Sequence, residues 1–299
     1  MIIVQVKGGL GNQFFTYATA YALAVSSRNA LLLDEVIYQT FYSIRKCRLH
    51  EFQIDYSDTL IKRASFRSKI GQKVFAVIHR QVLQRKYHPY VICEKQQFAY
   101  QPFYIQRGKN YYLDGYWQNY RYFHSCREDL IRQFTPLAVS SESEALIEYA
   151  KKTLPVMVHV RRGDYMTFQG GKCLSMQYYF DAMDRLRQIR GEKAPFWIVT
   201  DDVGFCRNAF SQFQNLLFLA DSHLSDIEEF WVMCHGKDFI IANSSFSWWA
   251  AYLSASEDKT VWCPVADMWT EDYYPPEWEK LPASIEKNTG DTECEKRQQ

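Results

Sequence analysis

Apolar and polar positions fall in blocks along this chain, and the block lengths and periods set its elements. Short apolar runs over 2–6, 31–33, 111–113, 156–160, 196–200, 216–219, 239–242 and 260–263 read as strands. The run 156–158 is unbroken, as in a strand buried on both faces. Behind the first run, Phe14, Phe15, Tyr17, Ala18, Tyr21, Ala22 and Ala24 keep a helical period. Helices near 176–189, from 203, over 226–234 and over 246–253 separate the later strands. Regular strand–helix alternation is what a parallel sheet requires, so the fold class is α/β. With 299 residues the chain fits two domains of moderate size. Pro136 and the polar run 140–144, in which Ser141-x-x-Glu144 forms a capping box, mark the boundary. The divisions are then 1–139, 140–285 and a polar tail over 286–299.

Polar chemistry collects where these runs end. Residues 158–164 read Val-His-Val-Arg-Arg-Gly-Asp, placing His159, Arg161, Arg162 and Asp164 at the end of a buried strand, with Gly163 to turn the chain. Cationic groups at the end of a parallel strand are costly without an anion, and ligands of open α/β sheets bind there. A guanidinium fork matches phosphate oxygens in pairs. Alternation along an extended segment lets one arginine face a ligand while its neighbour holds the loop. Salt bridges to nearby carboxylates are the other reading of the pair. Two further strand ends carry Asp201-Asp202 and Asn243-Ser244-Ser245, the latter opening a helix whose free N–H groups suit a phosphate. Ser225-x-x-Glu228 is a capping box, so Asp226 is either a first-turn charge or an acceptor for the N1–H and amino group of guanine.

In the first half, Gly8-Gly-Leu-Gly-Asn-Gln13 joins strand to helix, a layout that lets backbone approach a diphosphate or sugar closely. It is not the G-x-G-x-x-G of a dinucleotide site, and close helix–strand packing would also call for glycine. The second strand delivers Asp34 and Glu35. The loop after 111–113 offers Asp114, Tyr116, Trp117 and Gln118, a set suited to a sugar ring or equally to an aromatic core.

Charge and composition then narrow the classes. The net charge of +1 argues against a nucleic-acid binder, and 47% hydrophobic residues argue against disorder. Eight of the cations lie between Thr59 and Cys93, where no acid occurs. That basic, partly amphipathic stretch over 62–86 suits an anionic membrane surface or a phosphate-bearing partner, or is a solvated helix face. The eight cysteines are scattered, with no C-x-x-C pair and no histidine partner at zinc spacing. Reduced thiols, with no signal peptide or membrane span, lead us to expect a soluble cytoplasmic protein, peripheral to the membrane at most.

His159-x-Arg161-Arg162-x-Asp164 after a strand resembles the first shared motif of α1,2- and α1,6-fucosyltransferases. With Gly8–Gln13, Gly115-Tyr-Trp-Gln118 and Asp238-Phe-Ile-Ile-Ala-Asn-Ser-Ser-Phe-Ser-Trp-Trp249, in that order, the chain resembles glycosyltransferase family 11, the galactoside α1,2-fucosyltransferases. The resemblance implies two facing Rossmann-like domains of the B-type glycosyltransferase fold, with the site in the cleft. It implies inverting, metal-independent transfer from GDP-fucose to the 2-hydroxyl of a terminal β-galactoside, free or lipid-linked. Arg161 would bind the β-phosphate. His159 and Asp226 would lie near guanosine, and Ser244, Ser245 and Phe246 near the phosphates and base. Arg162, Asp164, Asp201 and Asn243 would complete the donor side. Gly11, Asn12 and Gln13 would face the fucose, with Tyr116, Trp117 and Gln118 at the acceptor. Asp34 and Asp114 stand as alternatives for the base. Asp201-Asp202 are adjacent rather than spaced as D-x-D, so no metal is expected in the transfer step.

Overall fold

The computed structural model of the chain describes residues 1–40, 45–55, 58–59, 69–166, 172–266 and 271–286. The fold is mixed α/β, with parallel sheets flanked by helices, in two compact units. Met1–Ala138 and a returning segment, Thr270–Pro275, make the first; the second begins at Val139 and resumes at Pro276.

In the first unit β1 (Ile2–Gln5), β2 (Leu31–Asp34), β3 (Asp58–Thr59), β4 (Tyr90–Cys93) and β5 (Tyr111–Asp114) stand in the order β3-β2-β1-β5-β4. Every pairing is parallel. The winding reverses between β1 and β5, which brings the glycine turn after β1 beside Asp114. Helix α1 (Leu10–Ser27) packs on β1 and β2, and its inner face is nearly all buried, Phe14 stacking on Phe134 at 4.0 Å. Helix α2 (Val36–Thr40) follows β2, α3 (Lys69–Tyr87) precedes β4, and α4 (Arg127–Gln133) supplies Gln133 to the hydroxyl of Tyr17.

The second unit opens with α5 (Ser141–Thr153) and continues β6 (Val156–Val160), α6 (Met176–Arg190), β7 (Phe196–Thr200), α7 (Val203–Ala209), β8 (Leu216–Phe218) and α8 (Asp226–Met233). It ends β9 (Asp238–Ile240), α9 (Ser245–Leu253), β10 (Val261–Val265) and β11 (Glu279–Pro282). The sheet order β11-β10-β9-β6-β7-β8, all parallel, reverses its winding between β6 and β9. Residues after those two strands therefore meet at a switch point, where doubly wound sheets take ligands. Inside β9, Asp238 is fully buried and is tolerated because Arg190 grips both its oxygens at 2.7 and 2.9 Å.

Several boundaries move. The α5 cap is Ser140, whose hydroxyl accepts from Ser143 N at 3.2 Å, one residue before the expected Ser141 box. The edge strands β3, β4 and β11 extend the sheets past the runs read from sequence. β11 carries one buried apolar residue, Leu281, and so shows no hydrophobic run. Glu286, assigned to the tail by composition, bonds through its N–H to Cys173 O and through its carboxylate to Arg162. Residues 287–299 lie outside those described. Among the described residues no helix is long and apolar enough to cross a membrane.

Candidate active site

The end of β6 separates its two arginines as strand alternation dictates. Arg162 turns inward, its side chain 9% exposed, onto Asp202 at 3.3 Å, Glu286 at 3.0 Å and the ring of Phe205 at 3.4 Å. It holds the loop. Arg161 stays accessible and is braced by two carboxylates, Asp164 at 2.6 Å and Asp201 at 2.9 Å. Asp201 also accepts from the N–H groups of Arg162 and Gly163 at 2.8 and 3.1 Å, so one side chain fixes both loop and guanidinium. Gly163 is needed for space and not for a left-handed turn. A Cβ there would stand 2.5 Å from Asp201 Oδ2.

His159 is not a third cation. Burial, then the Arg161 charge, lower its pKa to about 3. The neutral ring lies 5.5 Å from Phe246, and its Nδ1 is buried without a hydrogen bond. Phe246 also meets Phe230 edge-on at 5.4 Å, giving an aromatic wall beside the sheet.

At the switch-point neighbour, Ser244 is the N-cap of α9, its Oγ accepting from Phe246 N at 3.4 Å. Ser245 is the first helical residue. Asn243 donates from Nδ2 to Lys172 O at 2.8 Å, while its Oδ1 is buried with no partner. The Ser225–Glu228 capping box is present in full, with Asp226 exposed at the first helical position of α8. Next to it stands a carboxyl that sequence reasoning missed. Burial, then Asp226 and Asp201, push Glu229 up to about 7. A carboxyl poised near neutrality is a mark of functional sites, but in sequence Glu229 reads only as another acid in a helix's first turn.

The first unit corrects more of the expectations. Gly8 takes φ +82°, and a Cβ there would meet Asn12 at 2.7 Å, so the turn requires glycine. Helix α1 has no side chain capping its N-terminus. Gly11 is buried in its first turn. Gln13 does not face outward: 1% exposed, it donates to Gly8 O and Lys46 O and accepts from Arg48 N at 2.8 Å. Asn12 accepts from Gln118 at 3.0 Å, and Gln118 accepts from Gln97 at 2.8 Å. Trp117, expected to stack on a sugar, is 1% exposed and packed edge-on against Phe103 and Tyr122. Its backbone N–H and that of Tyr116 donate to Glu94, a carboxyl raised by burial and also missed from sequence. Tyr116 lies under Lys7, at 5.0 Å from its ring.

The two carboxylates considered as bases part company. Asp34 is 1% exposed, and its oxygens meet Val36 N at 3.1 Å, His79 at 3.1 Å and the Tyr112 hydroxyl at 2.7 Å. A carboxylate so engaged positions its neighbours. Asp114 is 46% exposed and pairs with Lys7 at 2.9 Å. Asp201 and Asp202 face arginines and backbone donors. Cys47 and His50 are spaced C-x-x-H, which the sequence reading passed over, and with Glu35 their ligand atoms all lie within 4.8 Å of one another.

The switch point of the second unit thus carries an accessible arginine, a capped helix N-terminus and an aromatic wall, groups suited to an anionic ligand that bears a ring. The chain belongs to glycosyl transferase family 11, which matches residues 1–281. It is 29% identical over 266 residues to an alpha-1,2-colitosyltransferase of Escherichia coli, covering 85% of this chain and 87% of that one. It is 30% identical over 291 residues to the Escherichia coli O-antigen biosynthesis glycosyltransferase WbnK, covering 87% and 92%. A galactoside 2-alpha-L-fucosyltransferase of Bos taurus is 27% identical over 263 residues, covering 84% of this chain and 64% of its own length. The protein is thus a glycosyltransferase that moves a sugar from a nucleotide-sugar donor to a glycan acceptor.

Proposed function

We propose that the protein transfers L-fucose from GDP-fucose to the 2-hydroxyl of a terminal β-galactoside, with inversion. The observation that carries this is Arg161, held ready by Asp164 and Asp201 at the end of β6. Departure of GDP leaves charge on the β-phosphate, and a preorganised guanidinium plus the α9 N-terminus absorb it without reorganising. His159 and Phe246 offer the base a neutral, apolar wall. The α-1,2 linkage and the galactoside draw support from the names of the colitosyltransferase and fucosyltransferase relatives. The first of these supports a second reading, a donor whose sugar is colitose, which is fucose without its 3-hydroxyl.

One assay tests the reading: GDP-fucose, GDP-colitose and a free β-galactoside, with product linkage analysis. Arg161→Ala should lower kcat about 10²–10³-fold, the usual loss for one such donor, and EDTA should leave transfer unaffected. A variant retaining full activity, or a product fucosylated elsewhere than the 2-hydroxyl, overturns the proposal. Preference for the 3-deoxy donor selects the second reading. We also propose that the protein works at an anionic membrane surface in the cytoplasm, where lipid-linked glycans would present their acceptors. The support is α3, which exposes Val77, Ile78 and Val82 beside exposed Arg80, Arg85 and Lys86. Residues 62–68 of that basic stretch lie outside those described.

A further inference from the structure

We propose that Glu35, Cys47 and His50 bind a single transition-metal ion of the zinc type, separate from the chemistry of transfer. The inference stands independently of which sugar is moved.

The three ligand atoms, a carboxylate oxygen, Cys47 Sγ and a ring nitrogen of His50, all lie within 4.8 Å of one another. A tetrahedral zinc ion with bonds of about 2.0–2.3 Å keeps its ligands roughly 3–4 Å apart, so modest side-chain adjustment closes the site. Chain order supports the geometry. Glu35 leaves the buried end of β2, while Cys47 and His50 are spaced C-x-x-H across the 3-10 turn that begins at Leu49. Leu49 is fully buried, and Arg48 N is held by Gln13, so the backbone between the two ligands is already anchored.

A second observation points to a cation. Glu35 is 7% exposed, and both its oxygens crowd the same His50 Nε2, at 2.9 and 3.0 Å. Cys47 also hydrogen-bonds the Glu35 carboxylate, so thiol, imidazole and carboxylate converge on one point. An ion between carboxylate, thiolate and imidazole replaces the protons they share and satisfies all three. Sulfur, nitrogen and carboxylate together favour zinc over magnesium or calcium, which take oxygen ligands. Three protein ligands leave the fourth position to water. Since Gln13 joins the Lys46–Arg48 backbone to the glycine turn, the ion would fasten that turn to β2.

The test uses the full chain, stripped of metal, titrated with Co²⁺ and then with Zn²⁺ against a chromophoric chelator. The expected result is one equivalent bound, a thiolate-to-cobalt charge-transfer band, and a higher Tm with Zn²⁺. Cys47→Ser should abolish the band, and His50→Ala should weaken binding by no less than the roughly 10–100-fold that even an outer partner costs. Cys93→Ser, which alters an exposed thiol, should change nothing. Cys47→Ser should keep the metal-free Tm of the parent, whereas His50→Ala removes the partner of buried Glu35 and should lower it; a native-like far-UV circular dichroism spectrum shows that both fold. Absence of stoichiometric binding, or binding and band that survive both Cys47→Ser and His50→Ala, overturns the proposal.

Discussion

At the scale of single residues, what decides the site is which charges are free and which are spent. Arg161 and Arg162 are adjacent and chemically identical, yet one is accessible and the other buried on Phe205 and Glu286. Alternation along the strand made that division legible in the sequence; the partners were not. Glu286 lies 124 residues from Arg162, and no local pattern encodes such a pairing. His159 shows the same limit, since a histidine beside two arginines suggests charge, and only burial reveals it as neutral. Its titration gives a prediction. The folded pKa of about 3 lies below the unfolded value of about 6.5, so the unfolded chain takes up the proton first. The folded state's advantage is complete above that unfolded value and is lost as pH falls toward 3. Between pH 7 and pH 5, His159→Phe should lose about 2 kcal/mol less stability than the parent in urea unfolding. Equal losses would show that the ring is protonated in the folded protein.

Among the elements, the long apolar runs declared themselves and the edges did not. β6, β7 and α1 followed from periodicity, because burial on both sides leaves no polar interruption. β3, β4 and β11 sit at or near sheet edges, where half-exposed residues carry little signal. The aromatic loop after β5 was ambiguous for a related reason. A tryptophan seeking a sugar and one seeking a core share a sequence, and here Phe103 and Tyr122 take Trp117. Helix α3 is the reverse case, with apolar side chains left in the open. Arg80→Gln, Arg85→Gln and Lys86→Gln combined should weaken association with anionic vesicles by about 3 kcal/mol, or roughly 10²-fold. Sedimentation with phosphatidylserine and phosphatidylcholine vesicles checks this, with activity on a soluble acceptor unchanged. Undiminished sedimentation would remove α3 as the contact.

Across the molecule, alternation in the second half predicted a parallel sheet, and both sheets are parallel, each with a reversal in its winding. The return of Thr270–Pro275 to the first unit was not legible, since it depends on Asn119 reaching Asp272 O at 3.0 Å and on Tyr273 meeting Phe98 and Phe15. The second unit likewise closes late, with Trp278 on Trp248 and Glu286 on Arg162. A chain ended at Pro275 loses β11 and both contacts. It should give little soluble protein and, where soluble, bind ANS as an incompletely packed core does; a cooperative melt near that of the full chain would contradict this.

The two aspartates that brace Arg161 also bear on turnover. Any anion reaching that guanidinium must compete with Asp164 and Asp201, so attraction on arrival is moderated from the outset. In the transfer proposed above, the same aspartates would reclaim the arginine as the spent nucleotide departs. Grip would be moderated in favour of a faster exit, which suits a catalyst that must clear its product before each new cycle.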